Sequence, residues 1–468
     1  MALLSTDDIR GLRAELAGEV LLPNDSAYGE ARSIWNGAID RRPAAVVRCA
    51  TAEDVAAAIG FARSRGLEIA VRGGGHNFAG FASCEGGLMI SLSGLRGVAV
   101  DVDARRAVCG GGATWGDVDA ATQEHGLATV GGFVSHTGIA GLTLGGGIGW
   151  LTRKAGLTVD NLLAAEVVTA DGRVLRASTQ EHPDLFWALR GGGGNFGVVT
   201  SFEYRLHRVG PLVQLGLFFW GVDRGAEALR FSRDFARTVP ADMGLFVAGL
   251  SAPPEPFVPP EHHFAPGFAL IVVGFGSAEE HAGVAERVRA SMPPLFDLVT
   301  PMPYTALQQM FNAGVQWGVH AYEKALYLDD LTDGAIDVFA DFVPRKQSPL
   351  SMTPVFIVDG AYQRVGQDET AFGGSRQARV VFNIAAICPT PELYQSERAW
   401  VRAFWEALRP HASNAGGYVN FMNEYEEDRV RAAYGPAKYD RLARIKATYD
   451  PDNLFHLNAN IKPAPGPG

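Results

Sequence analysis

Short apolar runs, separated by glycine-rich and polar segments, fill the first 210 residues of the chain. The segment at 55–62 has the periodicity of an amphipathic helix, and Thr51 with Asp54 forms a capping pattern at its start. Two runs flank Asp171-Gly172 and predict a β-hairpin, because glycine reaches the positive φ that a tight turn needs. The predicted strands of this half are 46–49, 67–72, 88–92, 98–102, 107–109, 165–169 and 174–177. Strands 46–49 and 67–72, with the helix between them, predict a βαβ unit that ends in a glycine loop.

After residue 210 the apolar runs become longer and alternate with longer helical patterns. Predicted strands lie at 213–220, 268–275, 352–358 and 380–387, and predicted helices at 225–238, 277–291, 332–342 and 391–408. Such a pattern favours an antiparallel sheet with helices on one face. A further apolar strand is expected at 418–421, before a basic helix near the C-terminus. The two halves together predict an α+β protein.

Composition and charge narrow the class of protein. At 468 residues the chain exceeds one ordinary core, and 47% hydrophobic against 20% charged residues is typical of a soluble globular protein. A net charge of −10 and the lack of any basic run among aromatics argue against a nucleic-acid partner. The N-terminus has no signal-peptide pattern and no apolar stretch reaches the length of a membrane span, so we expect a cytoplasmic protein without membrane contact.

Cysteine and histidine spacing gives no support for a metal site. Cys49, Cys84, Cys109 and Cys388 are scattered without C-x-x-C spacing, which favours reduced, packed thiols. The pair His262-His263 lies in a proline-rich loop, where we expect no metal ion. We therefore expect no metal cofactor.

The most informative motif is Arg72-Gly73-Gly74-Gly75-His76-Asn77, which follows a predicted strand. Successive glycines let backbone N–H groups converge on a pyrophosphate, and Arg72 would add positive charge. A histidine in such a loop is a nucleophile near neutral pH and could bond covalently to a ring system. The alternative interpretation is a tight turn followed by a histidine that only fills the packing.

Three more glycine clusters occur, at 110–112, 138–149 and 191–197. The last contains G-x-G-x-x-G at Gly192, Gly194 and Gly197, but a helical pattern precedes it and a strand follows it, the reverse of a dinucleotide fingerprint. A nicotinamide-dependent dehydrogenase is therefore disfavoured. Walker-type phosphate loops, G-x-S-x-G nucleophile elbows and H-E-x-x-H metalloprotease motifs are all absent from the sequence.

Many ordered segments resemble the FAD-linked oxidases of the vanillyl-alcohol oxidase superfamily, in its berberine-bridge-enzyme-like branch. They include Trp35-Asn36-Gly37, the His76 loop, and the runs at 145–157, 184–192, 195–200, 418–420 and 449–455. The resemblance implies a PCMH-type FAD-binding domain at 1–210, completed by 416–468, and a substrate domain at 211–415 whose antiparallel sheet is backed by helices. The residues that it implies for FAD are Arg72, Gly73, Gly74, Gly75, His76, Asn77, Gly80, Thr137, Gly138, Gly141, Gly145, Gly147, Val198 and Asn420.

The resemblance also implies how FAD is attached. His76 matches the histidine that bonds to the flavin 8α-methyl carbon. Bicovalent relatives carry a second anchor in a G-x-C pattern, where this chain has Gly132-Phe133-Val134. Valine cannot form a thioether, so we expect covalent attachment through His76 only.

By the same resemblance, the enzyme moves a hydride from a C–H bond beside a hydroxyl or amine to FAD, and dioxygen then gives hydrogen peroxide. Tyr418 is the implied catalytic base, although a buried tyrosine can instead serve packing alone. Lys324, Tyr327, Asp359 and Tyr362 are interpreted as walls of the substrate site. We expect an alcohol, sugar or amine substrate and a monomer or homodimer.

Two questions stay open at the level of sequence. Thr137 stands where relatives often carry a larger aliphatic residue near the oxygen-reactive carbon of the flavin, which leaves a flavin dehydrogenase as an alternative to an oxidase. A flavin-binding protein that lacks catalysis is the third possibility.

Overall fold

The structure, a computed structural model, describes residues 4–413, 416–425 and 427–466. Its first sheet has the strand order β1-β2-β4-β3, in which β2, β4 and β3 are parallel and β1 is antiparallel to β2. These strands are β1 Glu19–Leu21, β2 Ala45–Arg48, β3 Ile69–Arg72 and β4 Leu88–Ser91. The predicted βαβ connection between β2 and β3 exists, but β4 pairs between the two strands, so the expectation of a simple βαβ unit was incomplete.

A second, antiparallel sheet completes the first half of the chain, with the order β5-β6-β10-β8-β9. Its strands are β5 Val98–Asp101, β6 Arg106–Gly110, β8 Leu162–Val168, β9 Val174–Ser178 and β10 Val198–Arg205. The predicted hairpin is its β8–β9 pair, and Gly172 has the expected positive φ of 83°. A short ladder joins β7 Leu127–Ala128 to β11 His207–Arg208.

The third large sheet has seven antiparallel strands in the order β15-β12-β14-β13-β17-β18-β16. They are β12 Leu212–Gly221, β13 Gly244–Ser251, β14 Pro266–Gly274, β15 Phe296–Pro303, β16 His320–Leu328, β17 Thr353–Ile357 and β18 Val380–Cys388. Side chains alternate between its two faces. One face, which includes Phe382 and Leu326, packs under four helices, and the other, which includes Phe356 and Tyr327, faces the first half of the chain. The predicted sheet backed by helices is thereby confirmed.

Helices connect these sheets and cover their faces. Those of the first half are α1 Thr6–Glu15, α2 Tyr28–Arg32, α3 Ala52–Ser64, α4 Trp115–Gln123, α5 Ile139–Gly145, α6 Thr152–Ala155 and α7 Pro183–Leu189. Those of the second half are α8 Gly225–Ala236, α9 Ala278–Ser291, α10 Tyr304–Gln309, α11 Asp333–Phe342, α12 Ala361–Arg364, α13 Tyr394–Leu408, α14 Glu427–Tyr434 and α15 Pro436–Tyr449. Helices α8, α9, α11 and α13 cover the outer face of the seven-stranded sheet.

Two local predictions have different outcomes. Helix α3 begins with the predicted capping box. The Asp54 backbone N–H donates to the Thr51 hydroxyl oxygen, and the Thr51 backbone N–H donates to the Asp54 carboxylate. The strand predicted at 418–421 was wrong, because Val419–Phe421 forms a 3-10 turn. The division into domains at 210 and 416 stays a prediction.

All four cysteines are buried and free. Across the described ranges, no helix has both the length and the hydropathy needed to cross a bilayer. In the same ranges, no group of three or more His, Cys, Asp or Glu side chains is arranged to hold a metal ion.

Candidate active site

A cavity of about 390 Å³ lies between the glycine segments of the first half and the inner face of the seven-stranded sheet. Its volume is within the range of small-molecule and cofactor sites. The two halves meet beside it, where the rings of Phe133 and Phe356 stack with centroids 4.9 Å apart. The floor comes from the 73–78 loop, and the roof carries residues such as Phe246 and Met352.

The glycines of the loop after β3 allow backbone to approach backbone. A Cβ added to Gly74 would lie 2.2 Å from the backbone nitrogen of Gly138, and a Cβ on Gly138 would lie 2.3 Å from that of Gly74. Gly75 has a positive φ of 71°, and its carbonyl accepts a hydrogen bond from the Trp35 N–H. The loop is therefore fixed against both α5 and the segment at Trp35.

His76 lies at the end of this loop and lines the cavity. Its ring stacks on Trp35 at a centroid distance of 5.2 Å, and its Nε2 is 2.7 Å from Nδ1 of His136. Burial, with a smaller effect of His136, lowers the pKa of His76 well below its usual value. The imidazole is therefore neutral near pH 7, and because Nε2 contacts His136, Nδ1 is the nitrogen left for another bond.

Tyr418 is buried and also lines the cavity. Its hydroxyl oxygen accepts hydrogen bonds from the Gly147 backbone N–H at 2.7 Å and from Asn420 Nδ2 at 2.9 Å. Burial raises the pKa of Tyr418, while these two donors act in the opposite direction. Because both bonds use lone pairs of the oxygen, its proton remains free to point towards a third partner.

The glycines at 145–147 allow this arrangement. A Cβ on Gly145 would lie 2.0 Å from Oδ1 of Asn420, and one on Gly146 would lie 2.8 Å from the ring of Phe372. Asn420 also donates to the Leu142 carbonyl at 3.0 Å. The end of α5 thus positions both Tyr418 and Asn420.

The structure brings most of the predicted cofactor residues to one cavity. Lining it are Gly73, Gly74, Gly75, His76, Asn77, Thr137, Gly138, Gly141, Gly145, Val198 and Asn420. Three others lie outside the lining: Arg72 stacks over Trp317, Gly80 packs on Ile39, and Gly147 donates to Tyr418. A contact of any of them with cofactor stays a prediction.

The four predicted wall residues do not line this cavity. Lys324 forms an ion pair with Glu424 at 2.9 Å, and the Tyr362 hydroxyl donates to the Ser375 carbonyl at 2.6 Å. Asp359 pairs with Arg153, and Tyr327 is buried. We therefore interpret all four as structural residues.

Sequence reasoning missed four polar side chains that line the cavity and each have a buried atom without a hydrogen-bond partner: Glu323, Asn383, Tyr434 and Asn458. Tyr434 lies near the glycine cluster of the predicted turn, with its hydroxyl 3.9 Å from the position of a Cβ on Gly193. Unpaired buried polar atoms in a cavity indicate a polar ligand. Tyr434 and Asn458 would suit a long polar cofactor that runs between the backbone surfaces of the glycine segments.

These features are those of a cofactor-binding site, and the family matches identify the class as FAD-dependent oxidoreductases. The family described as "FAD binding domain" matches residues 43–178, and the family described as "Berberine and berberine like" matches residues 417–462. The chain belongs to the berberine-bridge-enzyme-like family of FAD-dependent oxidoreductases. The resemblance stated from the sequence is confirmed.

Several relatives match this chain over nearly its whole length. (R)-6-hydroxynicotine oxidase of Paenarthrobacter nicotinovorans is 31% identical, over 96% of this chain and 97% of its own. The solved structure of 6-hydroxy-D-nicotine oxidase from Arthrobacter nicotinovorans has a TM-score of 0.84 at 29% identity, covering 96% of this chain and 98% of its own. A glucooligosaccharide oxidase of Acremonium strictum, described with a 6-S-cysteinyl, 8α-N1-histidyl FAD, shares the fold with a TM-score of 0.85 at 23% identity, covering 98% of this chain and all of its own.

Proposed function

We propose that this FAD-dependent oxidoreductase is an oxidase of small molecules. Bound FAD would accept a hydride from a C–H bond beside a hydroxyl or amine and pass the electrons to dioxygen, giving hydrogen peroxide. The observation that carries the proposal is the shared cavity, which is lined by both neutral His76 and the hydrogen-bonded Tyr418. Relatives named as oxidases support it.

We infer that His76 is the only covalent anchor. The ring lines the cavity and its contact with His136 leaves Nδ1 available. Val134 also lines the cavity, whereas none of the four cysteines, all within the described residues, does. A thioether of the kind described for the Acremonium strictum enzyme therefore has no sulfur to form it.

Tyr418 is the proposed base for the substrate hydroxyl or amine proton. To take that proton, Tyr418 must first release its own proton to solvent and become a phenolate, and the Gly147 N–H and Asn420 Nδ2 already point at the oxygen that would carry this charge. Preorganised donors of this kind stabilise developing negative charge without reorganisation. Burial opposes this ionisation and raises the pKa of Tyr418, whereas the hydrogen bonds from the two donors favour the phenolate.

The attachment is tested on a denaturing gel. Flavin fluorescence should migrate with the native polypeptide and with His262→Ala, a histidine outside the cavity lining, but not with His76→Ala. Fluorescence that stays with His76→Ala, or that is lost from native protein on denaturation, contradicts a histidine tether at this position.

The reaction is tested by anaerobic mixing with alcohols and amines, followed by admission of air. We expect flavin bleaching, then rapid recovery with one hydrogen peroxide per turnover. Tyr418→Phe keeps the ring and should slow bleaching by roughly 10²–10⁴-fold, the usual effect of removing a general base. Bleaching without recovery in air would identify a dehydrogenase, and equal bleaching rates in Tyr418→Phe would exclude Tyr418 as the base.

A further inference from the structure

Glu323 and Asn383 form a polar pair on the roof of the cavity. Glu323 on β16 is opposite Ala385, and Asn383 on β18 is opposite Ala325, so both side chains share the inner face one step apart. Asn383 Nδ2 donates to Oε2 of Glu323 at 2.9 Å. Both residues are almost completely buried, with exposed fractions of 1% and 4%.

Two acceptor atoms of this pair are unused. Oε1 of Glu323 and Oδ1 of Asn383 are buried and have no hydrogen-bond partner, and both residues line the cavity. An unpaired buried acceptor has lost its bonds to water without replacement, so such atoms are normally satisfied by a ligand or by an ordered water molecule. Two acceptors side by side, one of them a carboxyl, are suited to a group that donates more than one hydrogen bond.

The neighbours of Glu323 on the inner face are small and apolar. The residues two positions before and after it, Ala321 and Ala325, and its cross-strand partner Ala385 all end at a methyl group, and Ala385 also lines the cavity. Elsewhere the roof is formed by large apolar side chains such as Phe246 and Phe356. The shape and polarity suit a ligand with an apolar ring and a single basic group.

We propose that Glu323 and Asn383 bind a basic nitrogen of the substrate, and thereby select aromatic amines over alcohols and sugars. An ammonium neutralises the carboxylate that it pairs with, which is the condition for a buried ion pair to be tolerated. A sugar would bring several hydroxyl groups against the apolar side chains of the roof, such as Phe246 and Phe356, which offer them no hydrogen-bond partners. The inference rests on the proposed function and narrows its substrate class to amines.

The experiment measures binding rather than turnover. The flavin-loaded protein is titrated anaerobically by calorimetry with benzylamine and N-methylbenzylamine, and with their neutral analogues benzyl alcohol and benzyl methyl ether. We expect each amine to bind at least tenfold more tightly than its neutral analogue. Glu323→Gln, which keeps shape and can still accept from Asn383, should reduce this preference to less than threefold.

Asp119→Asn is the matched control. Asp119 is also a buried acid with one amide donor, Gln308 Nε2 at 2.9 Å, but it lies outside the cavity lining. Its substitution should leave the preference unchanged. Asn383→Leu removes the second acceptor and should weaken amine binding about tenfold, which tests the pair independently should Glu323→Gln fold poorly.

The outcomes separate this inference from the proposed function. Amine binding that depends on Glu323 supports the anchor even if no compound bleaches the flavin. Neutral analogues that bind as tightly as the amines, or an amine preference that survives Glu323→Gln and Asn383→Leu, overturn it. Flavin bleaching by alcohols at rates that Glu323→Gln does not change would leave the oxidase proposal intact and refute the amine anchor.

Discussion

Replacing Glu323 by glutamine should make the protein more stable than the native chain at alkaline pH. Burial raises the pKa of Glu323 from 4.5 to about 8, with the Asn383 hydrogen bond acting in the opposite direction. A carboxyl whose pKa is higher in the folded state stabilises the fold fully below its unfolded pKa, and this contribution is lost as the pH rises through about 8. At about 1.4 kcal/mol per pKa unit, the native chain loses up to about 5 kcal/mol between pH 4.5 and pH 9 relative to a neutral side chain.

Glutamine does not titrate, so the variant escapes this loss. The free energy of unfolding of Glu323→Gln should exceed that of the native chain by about 1 kcal/mol at pH 5 and by up to about 5 kcal/mol at pH 9. For a chain of 468 residues that corresponds to a Tm gain of about 5 °C at pH 9, measured by differential scanning fluorimetry of the flavin-loaded protein. The other buried groups that interact with Glu323, Tyr418 and Tyr425, have raised pKa values and stay neutral across this window.

Asp119→Asn provides the comparison outside the cavity. Burial raises the pKa of Asp119 to about 7, so its variant should gain stability over a window about one pH unit lower. A Tm difference between Glu323→Gln and native protein that is the same at pH 5 and pH 9, or that shrinks as the pH rises, would refute the assignment of Glu323 as a desolvated acid.

Two further substitutions test how the fold holds the site. Gly74→Ala should lower Tm and flavin content, because the new methyl group would meet the backbone of Gly138. We expect the free energy of unfolding to fall by about 1–3 kcal/mol. Native-like Tm and flavin absorbance would contradict the close packing of these two glycines. Lys446→Met should lower the free energy of unfolding, measured with urea, by about 3–5 kcal/mol. The reason is that Lys446 Nζ pairs with Asp450 at 2.6 Å, and both side chains are fully buried. The exposed Lys462→Met should change the urea midpoint little, and equal effects of the two lysine variants would argue against the buried pair.

Local sequence signals predicted the elements that depend on a few neighbouring residues. The capping pattern of Thr51 and Asp54 fixed the start of α3, and Asp171-Gly172 fixed the β8–β9 turn, because each involves bonds within three or four positions. The place of β4 between β2 and β3 depends on pairing between distant segments, which no local pattern reports. The turn at 419–421 was missed for a related reason: its apolar residues pack against α5 and the sheet, and burial alone does not separate a strand from a turn.

The same distinction explains which parts of the site were predictable. His76 lies in one contiguous glycine loop, so the motif itself indicated a ligand. Lys324 was chosen as a wall residue, yet it lies on the helix-covered face, where its Nζ is 4.6 Å from the ring centroid of Trp405 on α13. Glu323 precedes it by one position and therefore points to the cavity, since successive strand residues alternate between faces. The even spacing of Glu323 from buried Tyr327, with Ala325 between them, was the available signal: it places an acid on the inner face of the strand, where an apolar side chain would be expected.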